Sequence, residues 1–222
     1  MAKVTAKQKA IEAAQQLMTT GGYAATTVDE IISLAGVSKG SVYHAFKSKE
    51  ELAITALEDY ERRGWAIVAD GPYTKIKDPV KRALAFVKHI EDKAPELWAH
   101  GCLLGSISLE VAERHPVLHD RIDELFDEFE NGIAKVFVPA LREAGVTATS
   151  AKELARHMLA VIEGAIITAR SHREPKFLNE GLKHFRRYLE TFFGESTKPT
   201  SRNTFKSLAK FSLPTKRRES CH

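Results

Sequence analysis

The chain has 222 residues, a formal net charge of +4, 43% hydrophobic residues and 28% charged residues, which is the composition of an ordinary globular protein with one or two domains and a buried core. No uninterrupted apolar run approaches the roughly 18 residues of a membrane span, and the first ten residues lack the apolar segment of a secretory signal. The two cysteines, Cys102 and Cys221, lie far apart in unlike surroundings and do not suggest a structural disulfide. We therefore expect a cytoplasmic protein that makes no contact with a membrane.

The charge is spread unevenly along the chain. Residues 1–50 hold six lysines against four acids, and residues 195–222 hold seven Lys or Arg residues against two acids, so the middle is acidic. Positive ends on an acidic middle suit a protein that offers only part of its surface to nucleic acid. The excess over residues 1–50 is small, and charge alone would not identify DNA binding.

The first fifty residues predict three helices. An apolar stripe at helical spacing predicts the first over 4–20, and the second begins after Thr27. Gly36 can take a positive φ at no steric cost, so the chain turns there, and Ser38 then caps a short third helix over about 38–45. The apolar side chains spaced to pack the two crossed helices on the first are Ile31, Ile32, Leu34, Val37, Val42 and Phe46.

This pattern of helix, short glycine-containing turn and second helix is that of a helix-turn-helix, whose second helix enters the DNA major groove. The string also resembles the DNA-binding signature of TetR/AcrR-type transcriptional repressors. The resemblance is continuous over about thirty residues and is carried by Gly22-Tyr23, Thr26-Thr27-Val28, Ile31, Ala35-Gly36-Val37-Ser38-Lys39-Gly40, Val42-Tyr43-His44, Phe46, Lys49 and Leu52. Beyond residue 52 it is weaker and rests on the segments at 101–110 and 163–170, which look like pieces of the ligand-binding half of some members.

The rest of the chain also predicts helices, and no strand is expected. Ser48 and Glu51 form a predicted capping box that starts a long fourth helix to about residue 69, and Asp78-Pro79 starts the next. Further helices are expected from about 101 to 115, from Pro116 to Gly145 with a kink at Pro139, from the Ser150–Glu153 capping box onward, and over about 176–193. The predicted fold is all-α: a three-helix helix-turn-helix domain over 1–50, an effector-binding and dimerisation domain over 51–194, and a basic, mostly disordered tail over 195–222.

Eight residues are expected to contact double-stranded DNA. Lys39 can donate to guanine, and Tyr43 and His44 can reach a phosphate, a base edge or a thymine methyl group. Thr27 and Lys49 lie at helix N-termini, where backbone N–H groups favour phosphate. The full set, to which the family resemblance gives the same role, is Thr27, Ser38, Lys39, Gly40, Ser41, Tyr43, His44 and Lys49.

The helices from about 78 to 170 are expected to enclose a pocket for a small-molecule effector. Periodicity does not tell which apolar residues face a pocket and which a solid core. The expected lining is Phe86, Trp98, Cys102, Leu103, Ile107, Phe126, Phe129, Met158 and Ile162. Cys102 has two interpretations: a small buried apolar residue, which we favour, or a thiol activated by a helix N-terminus, because its surroundings resemble those of repressors released by electrophiles or oxidants.

The sequence therefore predicts a homodimeric repressor that binds a pseudo-palindromic operator and is released by a small-molecule effector. If Cys102 is reactive, the effector is a thiol-reactive compound. The last two helices, with Gly164 and Ala165, are expected to make the dimer. The alternative is a constitutive architectural or interaction protein without an effector. No catalytic motif, cofactor fingerprint or zinc-ligand spacing occurs, and the acidic run over 120–128 is expected to be a solvated helix face, so we expect no enzyme activity, cofactor or metal.

Overall fold

The computed structural model describes residues 4–111 and 114–195. The tail predicted over 195–222 lies outside the described residues except for its first residue. Every element in the described part is helical, which confirms the all-α prediction. The helices are α1 (Ala6–Gly21), α2 (Val28–Ala35), α3 (Lys39–Ala45), α4 (Lys49–Ala69), α5 (Pro79–Leu97), α6 (Leu103–Val111), α7 (Pro116–Glu143), α8 (Ala151–His172) and α9 (Lys176–Glu195), with a 3₁₀ turn at Pro72–Lys75.

The helices begin where side chains can cap them. Ser150 and Glu153 form the predicted capping box of α8, and Asp78 caps α5 with Pro79 in the first turn. At α4, Ser48 accepts a hydrogen bond from the N–H of Glu51 at 3.0 Å, but the Glu51 carboxylate reaches back to the N–H of Lys47. The predicted box at α4 is therefore closed one residue earlier than expected.

The chain folds into a small head and a larger body. In the head, α1 packs against α2, α3 and the N-terminal half of α4, and in the body α5, α7, α8 and α9 pack on one another. Helix α6 touches α1, α4 and α7, so it lies where head and body meet. The long α4 belongs to both parts, since Leu52, Ala56 and Leu57 are buried near its start while Val68 is buried near its end.

The small residues Gly164 and Ala165 of α8 are expected from the sequence to make a close helix contact between protomers, but Ala165 makes such a contact within its own chain. Ala165 is buried, and a Cβ added at Gly181 of α9 would come within 2.9 Å of the Ala165 methyl group. Gly164, by contrast, is exposed. The two neighbours therefore face different ways, because successive helical residues point about 100° apart.

Candidate nucleic-acid interface and adjoining cavity

A turn of three residues joins α2 to α3. Gly36 ends α2 at φ 62° and ψ 40°, in the left-handed region that glycine adopts without strain. Ser38 then accepts a hydrogen bond from the N–H of Ser41 at 3.2 Å, which caps α3. The structure thus confirms both features that the sequence predicts for this turn.

The two helices are held by the apolar residues expected to hold them, with one exception. Ile31, Val42 and Phe46 are buried, and Ile32 and Val37 pack partly buried against them. Leu34 was predicted to join this core, but 45% of its surface is exposed. At about 100° per residue, Val28, Ile32 and Ala35 lie on one side of Ile31 around the helix and pack against the core, whereas Leu34 lies on the other side.

The outer face of α3 presents polar side chains to solvent. Ser38, Lys39, Gly40, Tyr43 and His44 are exposed there, and Ser41 is half-buried. Lys39 donates from Nζ to Asp29 Oδ1 of α2 at 2.9 Å, and this carboxylate raises the pKa of Lys39. Since both side chains are largely exposed, the pair is held weakly and its lysine can turn to another acceptor.

Thr27 begins α2 with a capping box that the sequence interpretation missed. Its hydroxyl accepts from the N–H of Glu30 at 3.2 Å, while its own N–H and hydroxyl donate to the Glu30 carboxylate at 2.8 and 2.7 Å. The signal was present as Thr27-x-x-Glu30 in front of an apolar run. Thr27 is exposed, but its hydroxyl already has partners inside the head.

Lys49 is tied into the head as well. Its ammonium donates to the carbonyl oxygens of Tyr23 and Thr26, both at 2.9 Å, and lies 4.2 Å from the centre of the Tyr23 ring. Burial lowers the pKa of this ammonium. The side chain therefore fixes the α1–α2 loop against the start of α4, and two of its three N–H groups are engaged. Lys47, which the sequence interpretation passed over, lies two residues earlier and is exposed.

Side chains of the body hold the end of α1. Glu110 of α6 accepts a hydrogen bond from the N–H of Ala24 at 2.8 Å. Ser106 of α6 and Arg170 of α8 both donate to the carbonyl oxygen of Thr19, at 3.2 and 3.3 Å. Helix α6 is therefore bonded to the loop that Lys49 also holds.

A cavity of about 600 Å³ lies where the head meets the body. Its walls come from α1, α4, α5, α7 and the segment between α5 and α6, so helices 78–170 do not enclose it alone, as the sequence had suggested. Three of the nine predicted lining residues, Phe86, Trp98 and Phe129, line it. The other six do not belong to its wall: Cys102, Leu103, Ile107, Met158 and Ile162 are buried in the core, and Phe126 is half-buried.

Cys102 has the surroundings of a buried structural cysteine. It is 7% exposed, and burial together with the Glu163 carboxylate raises its pKa well above the ordinary value. An activated thiol needs the opposite, a lowered pKa and access to solvent. Of the two interpretations, these surroundings therefore favour the small buried residue over the activated thiol, because loss of hydration and a neighbouring acid disfavour the thiolate.

The acidic run of α7 forms ion pairs. Arg121 contacts Glu124, Glu128 and Glu58, and Asp127 lies 2.9 Å from Lys152. Among the described residues, no group of three or more His, Cys, Asp or Glu side chains is placed to hold a metal ion. Within the same residues, no helix combines the length and the apolar character needed to cross a membrane.

Comparison with known proteins places this geometry in a family. Residues 10–56 match the model described as "Bacterial regulatory proteins, tetR family", and residues 79–184 match "Transcriptional regulator LmrA/YxaF-like, C-terminal domain". The HTH-type transcriptional regulator LmrA of Bacillus subtilis (strain 168) is 29% identical over 72% of this chain and 84% of its own. The HTH-type transcriptional repressor DhaR of Mycobacterium sp. (strain GP1) is 24% identical over 82% and 91%.

Solved structures agree with the sequence matches. The regulatory protein TetR from Rhodobacter sphaeroides superposes with a TM-score of 0.71 and 25% identity, over 82% of this chain and 98% of that one. A helix-turn-helix head on a helical body defines the class of protein as a DNA-binding transcriptional regulator. The chain belongs to the TetR family of transcriptional regulators. Members of this family are generally not enzymes.

Proposed function

We propose that this chain is a ligand-responsive repressor that binds a pseudo-palindromic DNA operator as a homodimer and leaves it when a small molecule fills the cavity. One observation carries the proposal: the cavity is walled by α1, against which α2 and α3 pack, and by α4, which follows α3 in the chain and packs on α1. A molecule in the cavity therefore touches the same helices that set the position of α3. Repression itself rests on likeness to relatives such as DhaR, which is named a repressor.

The DNA surface in this proposal is the exposed face of α3 with the residues at its edges. Lys39, Tyr43 and His44 meet base edges and phosphates in the major groove, and Gly40 lets the backbone come close. Ser38, Ser41 and the start of α2 at Thr27 lie beside them. Lys49 contributes by holding the loop at Tyr23, and its third N–H group remains for a phosphate.

The dimer surface is proposed on the outer faces of α8 and α9. Ile167 is 62% exposed although it is apolar, and Gly164 lies three residues before it on the same face. Tyr188 of α9 is also 42% exposed. Ile167→Glu should leave the chain folded but monomeric in sedimentation, with operator binding lost, whereas an unchanged dimer would place the interface elsewhere.

The switch works through α4 and α6. An effector changes DNA affinity only if it binds one arrangement of the dimer better than another. A molecule in the cavity displaces α4. The hydrogen bonds from Ser106 and Glu110 couple α6 to the end of α1, so a movement of one of these helices is transmitted to the other. A shift of a few ångströms misaligns the two heads, which must fit successive turns of the DNA groove. The free energy that couples effector binding to DNA binding is typically roughly 1–3 kcal/mol in such systems.

A constitutive architectural protein is the competing function. It would be expected to have a solid core, and a cavity with aromatic walls favours ligand control instead. A protein without an effector would keep its DNA affinity whatever small molecules are added.

The decisive experiment fills the cavity with a side chain. A Cβ at Gly64 of α4 would lie 3.9 Å from Leu97 in ordinary contact, so Gly64→Phe can place its ring in the cavity. Its matched control is Ala66→Phe, which adds the same ring at an exposed position of α4 outside the cavity wall. Binding to the DNA upstream of the protein's own gene would be followed with and without fractions of a metabolite extract.

We expect an active fraction to release the wild type and Ala66→Phe from DNA. Gly64→Phe should not respond to that fraction. Equal release of Gly64→Phe and the wild type would show that the cavity is not the effector site.

A further inference from the structure

The charged side chains in the cavity wall are mainly acidic. Glu12, Glu61 and Glu96 line it, and Arg63 is the cationic residue among the lining residues apart from His100. Arg63 is occupied, because its Nε lies 2.9 Å from the Asp59 carboxylate, and its guanidinium also donates to the side chain of Gln15. The wall therefore offers a surplus of negative charge to whatever enters.

Glu61 differs from the other two acids in having no partner of its own. Glu96 pairs with Lys93 at 2.8 Å, and Glu12 accepts a hydrogen bond from Gln8. Within residues 4–111 and 114–195, no cation and no hydrogen-bond donor contacts the Glu61 carboxylate. A half-buried carboxylate without a partner is costly for the fold, so a ligand that supplies the missing charge gains affinity from it.

The surroundings of Glu61 disfavour its ionised form, so a cation beside it would relieve an unfavourable interaction. The charged groups that act on it are the carboxylates of Glu128 from α7 and Glu163 from α8. Together with burial, they raise the pKa of Glu61 to about 7. These two carboxylates act on Glu61 from neighbouring helices, although Glu128 also pairs with Arg121 at 3.1 Å, and neither of them supplies Glu61 with a positive partner.

Aromatic rings form much of the remaining wall. The lining includes Tyr60, Trp65, Phe86, Trp98 and Phe129. Trp65 lies one helical turn after Glu61 on α4, so both project from one face of that helix. Its ring lies 5.5 Å from the ring of Phe129, and a Cβ at Gly132 would come within 2.4 Å of it. Aromatic faces attract cations as well as flat apolar molecules.

We propose that the cavity binds a flat aromatic organic cation, with the Glu61 carboxylate as its counter-charge and the tryptophan and phenylalanine rings as its walls. The inference deepens the proposed function by naming the ligand class, and it rests on that proposal's assignment of the cavity as the effector site. An anion of the same shape would meet three carboxylates. An uncharged molecule would gain the aromatic contacts and leave Glu61 unpartnered.

The test is a pair of fluorescence titrations of the full chain in the absence of DNA. The probe is thioflavin T, a benzothiazolium cation, and its comparison is the uncharged benzothiazole with the same rings but without the methyl group on the ring nitrogen. The variants are Glu61→Gln and, as a matched control, Glu58→Gln, which removes a carboxylate from α4 outside the cavity wall.

The wild type and Glu58→Gln should bind the cation about tenfold more tightly than the uncharged compound, the scale of one charge contact in a partly desolvated site. Glu61→Gln should lose that preference and keep its affinity for the uncharged compound. Equal binding of the two compounds by the wild type, or unchanged cation binding by Glu61→Gln, would overturn the proposal.

A second measurement on the wild type alone covers the case in which Glu61→Gln does not fold. The cation binds the ionised carboxylate, so its affinity should rise by about tenfold between about pH 6 and pH 8, as Glu61 loses its proton. Besides Glu128 and Glu163, the titratable groups at this place are Tyr60 and Cys102, whose raised pKa values keep both neutral in that range, and His100, which lines the same cavity. The profile is therefore measured on His100→Gln as well, which should show the same rise. A flat profile for the cation would contradict the role of Glu61.

These measurements are independent of the regulatory proposal. If the dye binds but does not change DNA affinity, the cation site is supported and the proposal that the cavity controls DNA binding is contradicted. Failed dye binding with intact operator binding would remove the ligand class alone.

Discussion

Glu110 in the body of the protein accepts a hydrogen bond from the backbone N–H of Ala24 in the head, at 2.8 Å. The two residues are 86 positions apart in the chain, so only the fold brings them together. Lys49 holds the same loop from the other side by its bonds to the carbonyl oxygens of Tyr23 and Thr26. The α1–α2 loop thus connects the start of α4, the end of α6 and the helix-turn-helix.

We predict that Glu110→Ala loosens this loop without unfolding the body. The bond is exposed, so its loss should cost only about 0.5–1 kcal/mol, but the Ala24 amide should exchange its hydrogen measurably faster. Leu109→Ala is the control, because Leu109 is 88% exposed. Equal exchange at Ala24 in Glu110→Ala and the wild type would contradict a structural role for this contact.

Gly22 supplies a second test at the same place. It has φ 84°, and an added Cβ would come within 1.9 Å of the Glu110 carboxylate. Gly22→Ala should therefore cost about 1 kcal/mol or more and lower the melting temperature. Gly21→Ala is the matched control, since Gly21 is helical and has open space around it.

A double variant separates the two causes. When Glu110 is replaced by Ala, the added methyl group of Gly22→Ala no longer clashes with a carboxylate, and only the strain of the positive φ remains. Gly22→Ala should therefore lower the free energy of unfolding less in the Glu110→Ala background than in the wild type. The same loss in both backgrounds would show that the carboxylate does not pack against Gly22.

The head was predictable from sequence because local signals determine it. Gly36 and Ser38 specify the α2–α3 turn within a few residues of chain. In the body, Ser150 with Glu153 specifies the start of α8 in the same local way. The cavity was not predictable in this way. Periodicity separates buried from exposed positions, but Phe86, which lines the void, and Ile107, which lies in the packed core, have the same pattern.

Lys47 and Lys49 should respond differently to substitution. If Lys47 contacts a phosphate, as its exposure beside the proposed DNA surface allows, Lys47→Ala should weaken DNA binding and reduce the salt slope by about one unit. Lys49→Ala should also lower thermal stability, by about 1–2 kcal/mol, since it leaves two carbonyl oxygens without their donor. DNA binding by fluorescence anisotropy at several salt concentrations, with a melting curve for each variant, checks both.

A drop in stability for Lys47→Ala, or none for Lys49→Ala, would reverse these assignments. The sequence alone had indicated only a phosphate contact for Lys49. Long-range contacts such as those of Lys49 with Tyr23 leave no local signal in the sequence.

Glu61 should make stability depend on pH. Burial and two nearby carboxylates raise its folded-state pKa to about 7, from 4.5. Between these values the folded state binds more protons than the unfolded state, so stability falls as pH rises from about 4.5 and levels off above 7. The full difference is at most about 3 kcal/mol, at 1.36 kcal/mol for each unit.

Glu61→Gln keeps the shape and removes the charge. It should unfold at a higher urea concentration than the wild type at pH 8 and show a smaller difference from the wild type at pH 5.5. A variant less stable than the wild type at pH 8 would show that the carboxylate has a stabilising partner.

The most direct test of the account is selection of bound sequences from a random pool of DNA duplexes by the full chain, followed by the stoichiometry of the selected complex. Two α3 helices in a symmetric dimer should select a pseudo-palindrome with half-site centres about 34–36 Å apart, or a multiple of that. Two protomers should occupy each duplex. Enrichment of a site without two-fold symmetry, bound by a single protomer, or no enrichment at all, would contradict the account.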